Sequence, residues 1–499
     1  MRKEFFADAV HPSLGNGKNL WHPLVAAYCT IAVIKLVLLI VIGPIFGDDT
    51  PGYVEPARAM LASATWIRDA GLSTGPKPLF TFRMIGYPAV LATAMMVGGA
   101  AWPYLVIALQ YVLSFAAGAA LYDLALELGL SWQLSIVAVA AALLSFPLPL
   151  DQSIMTDSLN ASFLVLAVCL LTRGAPSGRR LTFPGAGVAG LFLAVAFLTR
   201  EAEQFLIAAL VPLLAARIWL AGRDCLIGSV LAVVVAVAPL FLIVEGYKQW
   251  NFYRTGERFV TTSASHTIVD AIAKAAKIDR TVIAGNAPFD RTARSVLQNS
   301  TYEEVLTLNK ALFAQGYKAT DVSGMAYQEY FELWRTHPRT MLAVLRMHIS
   351  ERTTKLTIRP IEAICETIEW GTGVRRCYDY RDLYRAIPSH FKGMRWTALP
   401  TFVFQTIEST AAIFLFGGFL LGIPYLFVVH LVKERRLPVG SILTLTAFSL
   451  MYITWFVAYG IVHMEDRYLM PVLPFSILGG IYFWREFLVR WRTERQHSR

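Results

Sequence analysis

Two adjacent carboxylates, Asp48 and Asp49, stand in the stretch "GDDTPGYVEPARAM" just where a long apolar run ends. Arg58, Arg83, Asp151, Asp157, Arg200 with Glu201 and Glu203, and the Glu465, Asp466 and Arg467 of "HMEDRYLMPVLP" follow in the same setting, each close to the end of an apolar run. A positioned carboxylate can take the proton of a hydroxyl, and arginine can hold a phosphate through paired N–H donors. The Asp48–Asp49 pair could instead hold a divalent metal. Any one of these groups also reads as a solvated helix end, because charges beside hydrocarbon either reach water or line a polar cavity. Their joint placement is what points to a shared cavity. No Walker loop, zinc-ligand spacing or Gly-x-Ser-x-Gly elbow occurs in the chain.

The elements that must carry these groups follow from composition. Of 499 residues, 56% are apolar and only 16% charged, and the mean hydropathy is +0.50, well outside the range of soluble globular chains. The chain reads as an all-α, polytopic membrane protein. Its net charge of +10 does not indicate nucleic acid, because the basic residues sit in short loops and at the C-terminus, where they set orientation. Apolar runs at about 24–45, 103–125, 134–150, 158–171, 183–199, 205–220, 226–247, 404–432, 439–462 and 468–487 give about ten spans, within a range of ten to twelve. The first lacks a small-x-small cleavage site and is expected to be a retained helix.

The run 87–101 is apolar but short and rich in small residues. Arg173, Arg179, Arg180, Arg217, Arg223, Lys433, Arg435 and Arg436 fall on one side of the membrane only if 87–101 does not cross, so it is expected to be an interfacial or re-entrant helix. Three parts result: a membrane module over 1–247 with a first external loop at 46–102, an external, mainly helical domain over 248–402, and C-terminal spans with a basic tail over 403–499. Thr301 and Glu304 form a capping box that should start a helix, and Pro338 should break one. Cys365 and Cys377 both fall in the external domain and could pair in an oxidising compartment. Lys35, in the middle of the first span, needs a carboxylate or carbonyl partner or else marks a polar path.

Several short pieces then fall into one order relative to the spans: "DDTPGY" after the first, "RMIGYPAVLA", the glutamine of "ALQYVLSF", "MTDSLNASFLVL", "FLTREAEQFLI", "NFYRTGERFVTTS" and "EDRYLMPVLP" before the last. In this order the chain resembles the GT-C membrane glycosyltransferases that use polyprenyl-phosphate sugars, similar to the protein mannosyltransferases and the lipid A aminoarabinose transferase. It departs from that pattern in having "RMIGYP" where Arg-x-Pro-Gly-Tyr-Pro is usual, and Thr156-Asp157 where Thr-Glu is common. The resemblance implies a GT-C-like helical bundle on a bacterial inner membrane with its site facing the periplasm, inverting sugar transfer, a polyprenyl-phosphate sugar donor and an envelope acceptor, with no cofactor required. It makes Asp49 the catalytic base, with Asp48 the runner-up and Asp157 or Glu465 next.

Arg83, Arg200 and Arg467 are the candidates for the donor phosphate, and Arg58 could pair with Asp49 or reach the same phosphate. Glu201 and Glu465 would complete the substrate site. Tyr53, Tyr87 and Tyr468 could stack on a sugar ring or belong to the aromatic belt of the bilayer. A carboxylate at a water-poor interface is expected to have a raised pKa, which suits a base. A lipid-linked sugar flippase and an O-antigen polymerase or ligase remain as alternatives. The first would be expected to show internal symmetry, and the second would differ in using a polyprenyl diphosphate donor.

Overall fold

The computed structural model describes residues 21–69, 78–145, 147–200, 206–221, 225–299, 301–352, 360–373, 399–432, 440–462 and 465–497. They form an all-helical protein whose one extended pairing is an isolated bridge between Ile45 and Ser153. The N-terminal half runs through α1 (Trp21–Ile42), α2 (Pro51–Ala62), α3 (Gly86–Gly98), α4 (Trp102–Glu127), α5 (Trp132–Leu144), the short α6 (Pro147–Asp151), α7 (Asp157–Thr172), α8 (Phe183–Thr199), α9 (Leu206–Ala221) and α10 (Leu226–Thr255). A second group follows: α11 (Ala264–Ile278), α12 (Pro288–Val296), α13 (Tyr302–Ala314), α14 (Ala319–Thr336), α15 (Pro338–Arg352) and α16 (Pro360–Thr372). The chain ends with α17 (Leu399–Gly417), a π-helical turn at Gly418–Gly422, α18 (Ile423–Val432), α19 (Gly440–Val462) and α20 (Leu473–His497).

Among the described residues, five helical stretches are long and apolar enough to cross a membrane: Pro23–Ile42, Gly86–Glu127, Leu226–Thr255, Val403–Val432 and Gly440–Val462. Shorter apolar helices cover Trp132–Leu144, Asp157–Thr172, Phe183–Thr199 and Ala208–Ala221. The apolar runs therefore fall on helices, although the run 134–150 is divided between α5 and α6 and the last helix starts at Leu473, a few residues after its run begins. The segment 87–101 forms α3 and a 3-10 turn. With 13 residues, α3 is about 20 Å long, short of the ~30 Å of hydrocarbon.

Local chemistry explains the boundaries. Thr182 caps α8 by accepting from the Gly185 N–H, with Pro184 next inside, where its missing N–H costs nothing. At the other end of α10, Gly256 takes φ +79 and returns its N–H to the Phe252 carbonyl, a conformation that disfavours any residue with a Cβ. Thr301 and Glu304 form the reciprocal capping box of α13. The break between α14 and α15 falls at Pro338.

Almost every residue of α7 is buried, because α7 is packed between α4 and α8. Its N-terminus is tied to the C-terminus of α8: Thr156 Oγ1 donates to the Thr199 carbonyl at 2.9 Å and Asn160 Nδ2 to that of Ala196 at 3.1 Å. Lys35 has the partner its position demanded. Its Nζ lies 2.5 Å from Asp151 Oδ2, both side chains being almost wholly buried, and 3.2 Å from Ser114 Oγ. Asp151 is thus committed to a buried ion pair and does not line the cavity described below.

The second group has its own apolar core, built by α11 to α15 and set on the end of α19. Tyr330 donates to the Ile461 carbonyl at 3.0 Å and His348 Nδ1 to that of Gly460 at 2.7 Å. The helix α10 continues without a break past residue 247 to Thr255. Cys365, on α16, is disulfide-bonded, while Cys377 lies outside the described residues.

Candidate functional site

Asp49 sits immediately before α2. The loop that carries it is fixed on both sides: Thr50 Oγ1 accepts from the Gly47 N–H at 2.9 Å and donates to the Ile154 carbonyl at 3.1 Å, and the Ile154 N–H returns to the Ile45 carbonyl. Each oxygen of Asp49 faces a different guanidinium. Arg83 Nη2 is 2.7 Å from Oδ1, and Arg467 Nη2 is 2.7 Å from Oδ2. Arg467 also bonds Glu465 and approaches Asp157 Oδ2 at 3.7 Å. Asp157, buried at the start of α7, meets Arg200 Nη1 at 2.5 Å, and Arg200 lies over the Tyr468 ring at 4.2 Å. The link between the ends of α7 and α8 is what brings Asp157 and Arg200 together.

Three carboxylates (Asp49, Asp157, Glu465) and three guanidiniums (Arg83, Arg200, Arg467) thus form one continuous cluster. Burial works to raise the Asp49 pKa, but Arg83 and Arg467 outweigh it and hold the carboxyl below its usual value. The expectation of a raised pKa is therefore corrected. Desolvation is present, and two cations beat it. The Arg467 guanidinium resists its own burial for the same reason and stays charged, through Asp157 and Glu465 first.

The cluster forms one end of a cavity of about 780 Å³, within the usual size range of small-molecule sites. Asp49, Arg83, Arg200, Glu465, Arg467 and Tyr468 line that end. The rest of the lining comes from the second group of helices and from the turn after α10, with Thr262, His266, Thr320, Tyr327 and Phe331 among its residues. Lys248 and Arg258 also line it, both paired with Glu245. Arg254 joins the two parts: it donates to the Phe80 carbonyl at 2.8 Å and the Trp66 carbonyl at 3.3 Å, and the Thr262 N–H donates to the Thr81 carbonyl at 2.8 Å.

Not every expected residue lies there. Arg58 is exposed on α2 and takes no part in the ion pairs around Asp49. Tyr87 is wholly buried, donates to Gln110 Oε1 at 3.1 Å and meets Tyr53 edge-on at 5.2 Å, so neither ring lines the cavity. Tyr53 acts from behind, lying under the Arg83 guanidinium at 5.3 Å. Glu201 lies outside the described residues. Asp48 is exposed and lines a small neighbouring pocket with Glu55. As a metal site the pair does not fit, because both Asp49 oxygens are turned to guanidiniums and no group of three His, Cys, Asp or Glu gathers among the described residues.

Sequence reasoning missed the contribution of α14 to the cavity altogether. A signal was available: Thr320, Gly324, Tyr327 and Phe331 recur at helical spacing on α14, and all four line the cavity.

No protein-family model and no curated protein matches the sequence. Among solved structures, the chain is similar to the oligosaccharyltransferase of Archaeoglobus fulgidus in its apo form, at 13% identity and a TM-score of 0.48, over 97% of this chain and 52% of that one. It is similar to the archaeal oligosaccharyltransferase AglB from Archaeoglobus fulgidus in complex with an inhibitory peptide and a dolichol-phosphate, at 13% identity and a TM-score of 0.49, over 96% and 52%. ArnT from Cupriavidus metallidurans in the apo state aligns at 15% identity and a TM-score of 0.32, over 91% of this chain and 84% of that one. The chain spans about half the length of the two oligosaccharyltransferase chains.

Proposed function

We propose that this multi-pass membrane protein transfers a sugar from a polyprenyl-phosphate donor to a hydroxyl of an envelope acceptor, at the periplasmic face of a bacterial inner membrane. The observation that carries this reading is Asp49 held between Arg83 and Arg467 at one end of a cavity large enough for a sugar. A proton acceptor and phosphate-binding cations are the two things such a transfer requires, and here they touch.

The donor phosphodiester carries one negative charge. Entering between Arg83 and Arg467, it competes with Asp49 for their N–H groups. Asp49 then loses the partners that keep its pKa low, and its affinity for a proton rises. The acceptor oxygen attacks the anomeric carbon from the face opposite the phosphate, its proton passes to Asp49, and the bond from carbon to phosphate oxygen breaks with its electron pair going to the phosphate. The polyprenyl phosphate that leaves carries more negative charge than the donor did, so the arginines hold the transition state better than the ground state. A single displacement inverts the anomeric centre.

Asp49→Asn keeps the size and cannot accept the proton. Transfer by the purified, correctly inserted variant should fall about 10²–10⁴-fold, the usual contribution of a positioned general base, while donor binding survives. Transfer at the wild-type rate would remove Asp49 from the reaction.

A further inference from the structure

The cavity is larger than a donor phosphate and its sugar need, and the part of its lining supplied by α14 has a chemistry of its own. Along α14, Thr320, Gly324, Tyr327 and Phe331 follow one another at spacings of four, three and four residues, and so share a face of the helix. The aromatic pair is stacked, with 15° between ring planes and centroids 6.4 Å apart, and both rings are exposed. Between the threonine and the rings is a gap: a Cβ added to Gly324 would meet nothing within 4 Å.

Facing this stripe are Thr262 and Ser263, just before α11. Thr262 Oγ1 and Thr320 Oγ1 are both buried without a hydrogen-bond partner, although each residue lines the cavity. A buried hydroxyl without a partner is costly, and a ligand hydroxyl would supply what is missing. Nothing on this stripe carries a formal charge.

From these features we infer that α14 forms an acceptor subsite for a neutral saccharide ring. The inference deepens the proposed transfer and rests on it for the word acceptor. Flat apolar ring faces suit the C–H face of a pyranose, the recess at Gly324 admits the ring edgewise, and the unpartnered threonine hydroxyls take its hydroxyls. The hydroxyl that receives the donor sugar then belongs to a carbohydrate, whether free or the head of a glycolipid, and not to a serine or threonine side chain.

The test is saturation-transfer NMR on the full chain in lipid nanodiscs, with methyl α-glucopyranoside as one probe and an uncharged serine-containing tripeptide as the other. Wild type should transfer saturation to the pyranoside and not to the peptide. Gly324→Trp, which fills the recess, should weaken the pyranoside by about tenfold, and Tyr327→Ala combined with Phe331→Ala should do the same. Gly324→Ala, too small to close the gap, should bind as wild type and guards against a folding defect. Asp49→Asn should also bind as wild type, so that binding without transfer separates failure of the catalytic reading from failure of this one. Pyranoside binding that ignores both the Trp and the double-Ala substitutions would overturn the inference, as would peptide binding that Gly324→Trp abolishes.

Discussion

Arg83, Arg200 and Arg467 share a cluster, but they are not equivalent. Arg83 and Arg467 each place a guanidinium on Asp49, whereas Arg200 is tied to buried Asp157 and lies over Tyr468. Arg83→Ala should weaken donor binding by about ten- to a hundredfold, the effect of removing a charged hydrogen-bond partner worth about 1.5–3 kcal/mol. Arg83→Lys should recover only part, because an ammonium group cannot present the same fork of donors. Donor affinities of the purified variants decide this, and two unchanged values would take Arg83 out of phosphate binding. The types of these residues, and their places at the ends of apolar runs, were legible in the sequence. The sign of the Asp49 shift was not, because it depends on two cations, 34 and 418 positions away, arriving within 2.7 Å.

Among the helices, the polar groups buried within the bundle act as rivets. Lys35 of α1 meets Asp151 at the end of α6, and Asp151 also accepts from Ser158 in the first turn of α7, next to Asp157. Gln110 of α4 donates to the carbonyls of Asp151 at 2.9 Å and Ser153 at 3.0 Å while its oxygen receives Tyr87 of α3. Five helices, α1, α3, α4, α6 and α7, and the turn before α7 are thus held in register. Lys35→Met, which leaves a carboxylate buried alone, should cost about 3–5 kcal/mol of stability, and adding Asp151→Asn should return most of it. Thermal unfolding of the two variants and the wild type measures the coupling, and a double variant no better than Lys35→Met would refute it. The sequence announced that Lys35 needed a partner but could not name one, since the ladder of apolar spacing says which residues are in lipid or protein and not which helices adjoin. The caps and breaks at Thr301, Glu304 and Pro338 were legible because they are local.

At the scale of the whole molecule, the described residues form a helical bundle and a second group of helices, each with its own core, and both line one cavity. Their pH responses differ accordingly. Within the second group of helices, burial first and then Asp290 and Glu332 push Glu329 up to about 7 from an ordinary 4.5. The folded domain keeps that proton up to about 7 while the unfolded chain releases it near 4.5, so stability falls as pH rises through this window. Glu329→Gln should therefore gain about 1 kcal/mol at pH 8 once solvent screening is allowed for, and nothing at pH 4. Unfolding curves of wild type and variant at the two pH values check it, and an equal difference at both would contradict it.

The 30 residues of α10 join these two parts. Its apolar portion, residues 226–244, is about 28 Å long, close to the ~30 Å of hydrocarbon, and its last eleven residues rise about 16 Å further. At the top of that rise Arg254 grips the carbonyls of Trp66 and Phe80, three residues before Arg83. One unbroken helix thus runs from the apolar bundle to the loop that carries Arg83, and holds that loop by two of its carbonyls.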